Sequence, residues 1–389
     1  VTDFLQFGVA LAGSFAAAFY ALRHPAVGGF HGLFSHLTPS TLSLVPDLTD
    51  WSVSVPLFIV PLAVQWWSTW YPGSEPGGGS YVAQRMLAAR SERDAMAGTL
   101  LFNVAHYAVR PWPWILVALA SMIVFPEVAD IRRALPHVDP ALVGNDMAYP
   151  AMLTFLPAGV LGLMVAGLLA AYVSTISTHL NWGTSYLVHD LYRRFLRSDR
   201  DERHYVLVGR LVTGALMLAA GSLTLVLDSA RTTFNLLLSI GAGTGLLYLL
   251  RWFWWRINAW SEIAAMASSF ILALGLFLLE RRGVAFAPHL SLIATVVTTT
   301  TVWLAVTWLT APTDRATLVR FYRAARPAGP GWRDIRRECG GLASSDNLPL
   351  AFSGTVASCA FVYAALFGVG HLLMGHSGRA MVSLLVLLA

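Results

Sequence analysis

The sequence predicts an all-α protein that crosses a lipid bilayer several times. Of its 389 residues, 56% are hydrophobic and only 12% are charged, whereas an ordinary soluble domain has about 25% charged residues. Apolar stretches of about 20 residues, each long enough to cross a hydrocarbon core of roughly 30 Å, recur between short polar segments. The basic residues are all arginines and gather in particular loops, which is typical of membrane topology rather than of nucleic-acid binding.

Nine complete crossings are predicted in chain order, each an apolar run bounded by polar or aromatic residues. They cover residues 2–22, 51–72, 96–125, 157–190, 204–228, 232–254, 258–279, 289–311 and 349–373. An apolar stub from residue 380 begins a tenth crossing. Because the chain opens inside an apparent helix and stops about ten residues into this last one, we expect further segments on both sides.

Arginine clusters on alternate connections predict the orientation of these crossings. Most arginines fall in four connections, at 85–93, 193–203, 251–256 and 315–337, and the intervening connections hold few. The positive-inside rule assigns the arginine-rich set to the cytoplasm, and we expect the inner membrane of a bacterium. The segment 312–348 mixes arginines with proline and glycine, so it is interpreted as an amphipathic surface helix followed by a linker.

Several kinds of catalytic and cofactor site are not supported by the sequence. A phosphate-binding loop of the Walker type needs a lysine, and the chain contains none. The run GAGTG at 241–245 lies in an apolar span, so it predicts close helix packing rather than dinucleotide binding. Cys339 and Cys359 lie in different environments and show no metal-ligand spacing. We therefore predict no catalytic residue, no cofactor and no metal other than a coupling ion.

Polar residues in the middle of the fourth crossing suggest an ion site. On a 3.6-residue period they form one stripe, which consists of Ala171, Ser174, Thr175, Thr178, Asn181 and Ser185. A sodium ion needs several oxygen ligands, and the hydroxyls of Ser174 and Thr175 with a carbonyl near Ala171 can supply about three. The alternative is that these hydroxyls bond back to helix carbonyls and allow close helix packing.

Five stretches of the chain together resemble one family of transporters. The sequence AAYVSTISTHLN at 170–181, followed by HDLYRR, is similar to the eighth core helix of the sodium:solute symporter family, which includes sodium/proline and sodium/sugar carriers. Other stretches fit in order: TDFLQ at 2–6, QRMLAARSERDA at 84–95, PAGVLGLMVAGLLAA at 157–171 and RWFWWRIN at 251–258. The resemblance covers residues 1–311 and implies that Ala171, Ser174 and Thr175 bind sodium through one carbonyl and two hydroxyls.

The resemblance also implies an architecture and a domain division. The family has a five-helix inverted-repeat core, and the chain would hold the fifth core helix and the second repeat, but not the first four helices. Residues 1–311 would then be the transporter core fragment and 312–348 a cytoplasmic segment. Residues 349–389 would form one transmembrane helix and a truncated one.

A second candidate site lies in QWWSTWYPGSEPGGGS at 65–80. Two prolines and three consecutive glycines must interrupt helical hydrogen bonding there, and broken helices in transporters expose backbone groups to solute. Glu75 lies in this break and could attract a cationic group. The alternative is an ordinary helix end with a solvated Glu75.

A third candidate lies in FNVAHYAVRPWPW at 102–114, where Asn103, His106 and Arg110 share one helix face. Arg110 falls near mid-membrane, where a buried arginine is a functional hypothesis, and Tyr107 and His106 are further candidates for solute binding. The alternative is that prolines kink this helix and that the Arg110 side chain extends to the membrane–water interface. Asp3, at the start of the first crossing, could assist ion movement or simply cap its helix.

These observations together predict a secondary active transporter in which the sodium gradient drives a small organic solute inward by alternating access. The expected partners are a sodium ion, the solute and the lipid bilayer, and no nucleic acid. One alternative is a transporter-like membrane sensor attached to a signalling domain. Another is a membrane-embedded enzyme, which would require His106, Arg110 and Glu75 to converge in a water-filled cavity.

Overall fold

The computed structural model describes residues 2–69, 85–140, 142–225, 230–284, 286–344 and 346–388. Within these ranges the regular secondary structure is helical, apart from one isolated bridge between Trp254 and Gly331. Eight of the described helices are long and apolar enough to cross a membrane. The predicted class, an all-α polytopic membrane protein, is therefore confirmed, whereas the inverted-repeat core stays a prediction.

The helices are numbered here in chain order, and a crossing that continues through a π-helical segment counts as one helix. They are α1 Thr2–Arg23, α2 Gly29–His36, α3 Trp51–Ser68, α4 Glu92–Val124, α5 Val128–Ala134, α6 Ala148–Leu153, α7 Ala158–Leu196, α8 Glu202–Thr224, α9 Ala230–Gly241, α10 Gly245–Leu250, α11 Ala259–Arg281, α12 Pro288–Leu309, α13 Arg315–Ala325, α14 Arg333–Glu338, α15 Leu348–Leu373 and α16 Ser377–Leu388.

The chain divides into two compact units. Unit 1 consists of Val1–Ser43, Asn103–Ala230 and Ala365–Leu385, and unit 2 consists of Leu44–Phe102, Arg231–Ala364 and Val386–Ala389. The helices α4 and α15 therefore each contribute residues to both units.

In unit 1, α1 packs against α7 and the second half of α4. Small residues on α1 allow this approach: Ala17, Ala18 and Ala21 are buried, and a side chain at Gly13 would meet the sulfur of Met164 on α7. Small residues at such contacts bring helix backbones close, which is how helices associate in lipid. The α4 half contributes Trp112, which is almost fully buried.

Prolines inside α3 and α4 coincide with π-helical segments. Pro56 and Pro61 lie in the π-helical turns Val55–Ile59 and Pro61–Gln65, and Pro111 follows the π-helix Val104–Val109. A proline has no backbone N–H and its ring clashes with the carbonyl four residues earlier, so a wider turn removes both problems locally. The hydrogen bond from Arg110 N to Ala105 O, at 3.0 Å, is the resulting bond over five residues.

The predicted crossing 232–254 is wrong as a continuous helix. The structure ends α9 at Gly241 and begins α10 at Gly245, with turn residues between them. Each glycine costs a helix about 1 kcal/mol relative to alanine, and GAGTG concentrates three of them. Ser269 on α11 donates to the carbonyl of Ile240 at 2.7 Å, so a backbone group at the break finds a side-chain partner.

The close packing predicted for GAGTG is present at the same break. A Cβ at Gly243 would overlap the side chain of Thr299, and one at Gly245 would overlap the backbone carbonyls of Trp67 and Ser68. Glycine is therefore required there by the neighbouring chain and not only by local backbone conformation. This contact fixes α10 against the end of α3 and against α12.

The segment interpreted as a linker is instead folded. After α13, residues 326–332 lead into α14, and the two helices enclose Leu318, Tyr322, Trp332 and Ile335, which are all buried. Arg315 on α13 forms an ion pair with Glu338 on α14, which holds the pKa of that carboxyl below its usual value. We call residues 312–344 the arginine module.

We predict that Gly245→Ala destabilises the protein while Gly275→Ala does not. The first substitution forces a methyl group into the backbone of Trp67 and Ser68, and overpacking of this kind typically costs about 1–3 kcal/mol. The second places the same methyl group in open space on α11. Thermal unfolding in detergent micelles measures both, and equal midpoints for the two variants would contradict the close contact.

Candidate functional site

The predicted ion stripe lies on the face of α7 that packs against α1. Met164 meets Gly13, and Gly167 lies against Ala10, so the two helices run antiparallel in contact. On a 3.6-residue period, Ala171, Ser174 and Thr175 continue the same face one to two turns further along α7. The stripe therefore begins where the helix contact ends.

The described residues of unit 1 leave this stripe accessible. Ala171 and Thr175 are exposed, and Ser174 and Thr178 are half-buried. The α-helix is continuous from Ala158 to Ser185, so the carbonyl of Ala171 is a helical acceptor that can offer its second lone pair. Thr178 Oγ1 donates to Ser174 O at 2.9 Å. The hydroxyl of Thr178 thus bonds back to a carbonyl of its own helix, as the alternative to ion binding predicted.

The contact register also indicates which part of α1 lies at the level of the stripe. Because Gly13 pairs with Met164 and Ala10 with Gly167, extending the antiparallel register brings the first turn of α1 opposite residues 171–175. Gln6, on the second turn, is half-buried. The backbone of Asp3 belongs to this level by register, and its side chain is outside what the structure describes.

The third candidate site forms a compact cluster at the π-helical segment of α4. Arg110 Nη1 lies 2.9 Å from His106 Nδ1, and the Arg110 guanidinium lies 4.6 Å from the centre of the Trp114 ring. Arginine only donates hydrogen bonds, so His106 Nδ1 is the acceptor and the neutral ring carries its proton on Nε2. The spacing of four residues predicted that these two side chains share one helix face, but not that they bond to each other.

Tyr107 lies beside the same cluster. Its ring is 4.7 Å from the His106 ring in an edge-to-face arrangement, and it is 47% exposed. Of the four predicted solute contacts, the structure thus brings together His106, Tyr107 and Arg110. Glu75 belongs to residues 70–84, which the described ranges do not include.

Ser14, which no sequence motif indicated, connects α1 to this cluster. Trp114 Nε1 donates to Ser14 Oγ at 3.1 Å, and Ser14 Oγ donates to Ala10 O at 2.8 Å. Ser14 is almost fully buried. A single serine in an apolar helix was its only sequence signal. Trp114, which stacks on Arg110, is thereby held by the helix that also contacts α7.

Unit 2 contains a cavity of about 670 Å³ that the sequence did not predict. It lies among α3, α9, α11 and the start of α12, and its lining is largely apolar with polar groups that include Gln65, Ser239, Glu280 and His289. Its volume lies within the range usual for small-molecule pockets. The helix break at 242–244 follows directly after the α9 residues that line it.

These features together define a class of protein. An all-α membrane protein with an interrupted crossing, π-helical segments and polar stripes inside apolar helices has the characteristics of a secondary transporter. The profile of the sodium:solute symporter family matches residues 1–271. The chain belongs to this family, as its motifs indicated, and its members are transporters rather than enzymes.

Individual relatives support the same assignment. The chain is 24% identical over 287 residues to the sodium/glucose cotransporter of Vibrio parahaemolyticus, covering 70% of this chain and 52% of the relative. It is 27% identical over 242 residues to sodium/glucose cotransporter 2 of Rattus norvegicus, covering 54% and 34%. It is 33% identical over 143 residues to the high-affinity proline transporter PutP of Bacillus subtilis (strain 168), covering 35% and 28%. The chain thus spans about half the length of the Vibrio relative and about a third of the other two.

We predict that Ser14→Ala loosens the cluster around Arg110. The indole N–H of Trp114 loses its acceptor at a part-buried position, and loss of such a hydrogen bond costs about 0.5–1.5 kcal/mol. Ser35→Ala is the matched control, because its hydroxyl is exposed and bonds only to Gly32 O on the same helix. Unfolding midpoints in detergent measure both, and an unchanged Ser14 variant would mean that this bond does not hold Trp114.

Proposed function

We propose that the intact protein is a sodium-coupled symporter of the cytoplasmic membrane that carries a small organic solute by alternating access. The observation that carries the proposal is the family match over residues 1–271, which includes α1, the Arg110 cluster and the α7 stripe. Relatives named as sodium/glucose and sodium/myo-inositol cotransporters support sodium as the coupling ion.

Sodium binds, in this proposal, at Ala171, Ser174 and Thr175. A hard cation needs several oxygen ligands, and one carbonyl with two hydroxyls provides about three of them. The accessibility of Ala171 and Thr175 in unit 1 leaves room for further ligands to complete the shell. The register of α1 against α7 supports Asp3 as an acidic group near the path of the ion.

The solute contacts the cluster of Arg110, His106 and Tyr107. A guanidinium inside a crossing is unfavourable unless it pairs with an anion, and its planar fork suits a carboxylate. The stacking on Trp114 and the hydrogen bond to His106 fix the plane of that fork. A small carboxylated solute therefore fits this cluster, and the relatives include proline transporters, whose solute carries a carboxylate.

Coupling follows if sodium and solute both favour the same conformation. An ion that binds one state better than the other shifts the equilibrium only by its difference in affinity for the two states. The α7 face that carries the ion stripe also packs on α1, and α1 holds Trp114 through Ser14. Unit 1 thus provides a contiguous route of packed side chains between the two proposed sites.

We predict that Thr175→Ala weakens sodium binding and that Thr175→Ser restores it. The alanine removes one oxygen ligand, whereas serine keeps the hydroxyl and loses only a methyl group. Titration of sodium against potassium, followed by tryptophan fluorescence of the intact protein, measures the apparent affinity, and we expect a decrease of about tenfold or more for alanine.

The control for this titration is Thr224→Ala on α8, whose exposed hydroxyl bonds to Gly221 O. It should leave the sodium response unchanged. A folded wild-type protein that shows no sodium-specific response would contradict the sodium site and would favour proton coupling or the sensor alternative.

We predict that Arg110→Lys impairs binding of carboxylated solutes much more than binding of sodium. Lysine keeps the charge but loses the planar, bidentate fork and its stacking on Trp114. A panel that includes proline, glucose and myo-inositol, screened by thermal shift of the intact protein in sodium, identifies the ligand class. If a carboxylated solute binds equally well to the variant, Arg110 is not its anchor.

A further inference from the structure

The arginine module, residues 312–344, packs on the turn that follows the interrupted crossing. Trp332 Nε1 donates to Arg251 O at 3.2 Å, and Gly331 N donates to Phe253 O at 2.8 Å. A Cβ at Gly329 would overlap the backbone of Phe253, so the module lies directly on the chain of this turn. The module is a folded part of unit 2 with a fixed docking place.

Both ends of the module are joined to helices that can cross a membrane. α12 ends at Leu309 and α15 begins at Leu348. The connection 310–314 is short, and five extended residues reach at most about 18 Å. The exposed rings of Trp252, Trp308 and Phe321 border the module, and amphipathic rings favour the headgroup level. The module therefore cannot move away from the membrane surface.

The module carries a strong positive charge. It contains seven arginines and three acidic residues, a net charge of +4. The three acidic side chains are all engaged inside it: Glu338 pairs with Arg315, Asp334 lies 3.9 Å from Arg337, and Asp314 caps α13 by accepting from Thr317 N at 3.0 Å. The positive charge that remains is directed to the surroundings.

Five of the arginines have no ion pair within 4 Å among the described residues; Arg336 is half-buried and the other four are exposed. The exposed four are Arg320, Arg323, Arg326 and Arg333. Arg320 and Arg323 project from the side of α13 opposite to its buried residues Leu318 and Tyr322, and Arg326 follows at the end of that helix. Arg320, Arg323 and Arg326, three residues apart along α13 and its end, form a row of exposed arginines, and Arg333 lies on α14.

We propose that this row binds the phosphate groups of anionic phospholipids in the leaflet that the module faces, which the arginine distribution assigns to the cytoplasm. Guanidinium groups bind phosphate oxygens through paired, charge-assisted hydrogen bonds. The cytoplasmic leaflet is negatively charged, and its anionic lipids attract clusters of basic residues that lie next to a membrane helix. The headgroups of phosphatidylglycerol and similar lipids are thus the ligands whose charge and position match the row.

Lipid binding at this place also affects the interrupted crossing. The residues 329–331 touch Phe253, and Phe253 follows α10, which itself begins at the break. A module held down by lipid therefore holds the turn 251–255 in its present place. Anionic lipid should stabilise unit 2 against unfolding, beyond any general effect of lipid.

The test compares binding of phosphatidylglycerol and phosphatidylcholine to the intact protein, with native mass spectrometry as the readout. We expect wild type to prefer phosphatidylglycerol by about fivefold or more at low salt, and the preference to decrease at high ionic strength. A triple variant should lose most of this preference; it combines Arg320→Gln, Arg323→Gln and Arg326→Gln. Its elution profile and its unfolding midpoint in neutral detergent should match wild type, because all three positions are exposed.

The matched control removes the same charge elsewhere on the predicted cytoplasmic side: Arg90→Gln, Arg197→Gln and Arg200→Gln. This control should keep the preference for phosphatidylglycerol. Equal loss in both triple variants would show a general electrostatic effect and overturn the proposal, as would a wild type without any preference. Displacement of the lipid by an acidic peptide such as polyglutamate at low micromolar concentration would overturn it too, in favour of a protein partner. If the triple variant does not fold, Arg323→Gln alone gives the same comparison with a smaller expected loss.

Discussion

The constraint on which this structure depends is that a backbone group inside a lipid bilayer has no water to bond with. Each departure from α-helical geometry in a crossing must therefore have a partner nearby. In α3 and α4, prolines remove bonds over four residues, and bonds over five residues replace them, as from Val60 N to Val55 O. At the break between α9 and α10, the Ser269 hydroxyl reaches the carbonyl of Ile240.

The two proposed binding sites differ in the geometry of the helix that carries them. The ion stripe depends on an undistorted α-helix, because only the 3.6-residue period brings Ala171, Ser174 and Thr175 to one face. The Arg110 cluster instead lies at a distorted segment, where the π-helix ends and Pro111 begins a new α-helix. A rigid helix suits a small ion with fixed ligand distances, and a distorted segment suits a solute that must be admitted and released.

The sequence predicted the features that depend on residues close to one another along the chain. Hydropathy and length identify crossings because a membrane span is a local property, and four-residue spacing placed His106 and Arg110 on one helix face. The break at 242–244 coincides with three glycines, but the contacts of Gly243 and Gly245 with Thr299 and the end of α3 join residues distant in sequence and could not be predicted. The bond from Trp114 to Ser14 joins residues 100 positions apart, and that from Trp332 to Arg251 joins residues 81 positions apart. Proline and glycine at 327–331 suggested a linker because their docking turn could not be recognised.

The π-helix at Val104–Val109 behaves as one inserted residue in an otherwise α-helical crossing. An extra residue rotates everything on one side of it by about 100° around the helix axis relative to the other side. A uniform α-helix of this sequence would therefore present the residues after Val109, Trp114 among them, in a different direction around its axis. The departure costs only the exchange of a few backbone hydrogen bonds, such as the one from Arg110 N to Ala105 O.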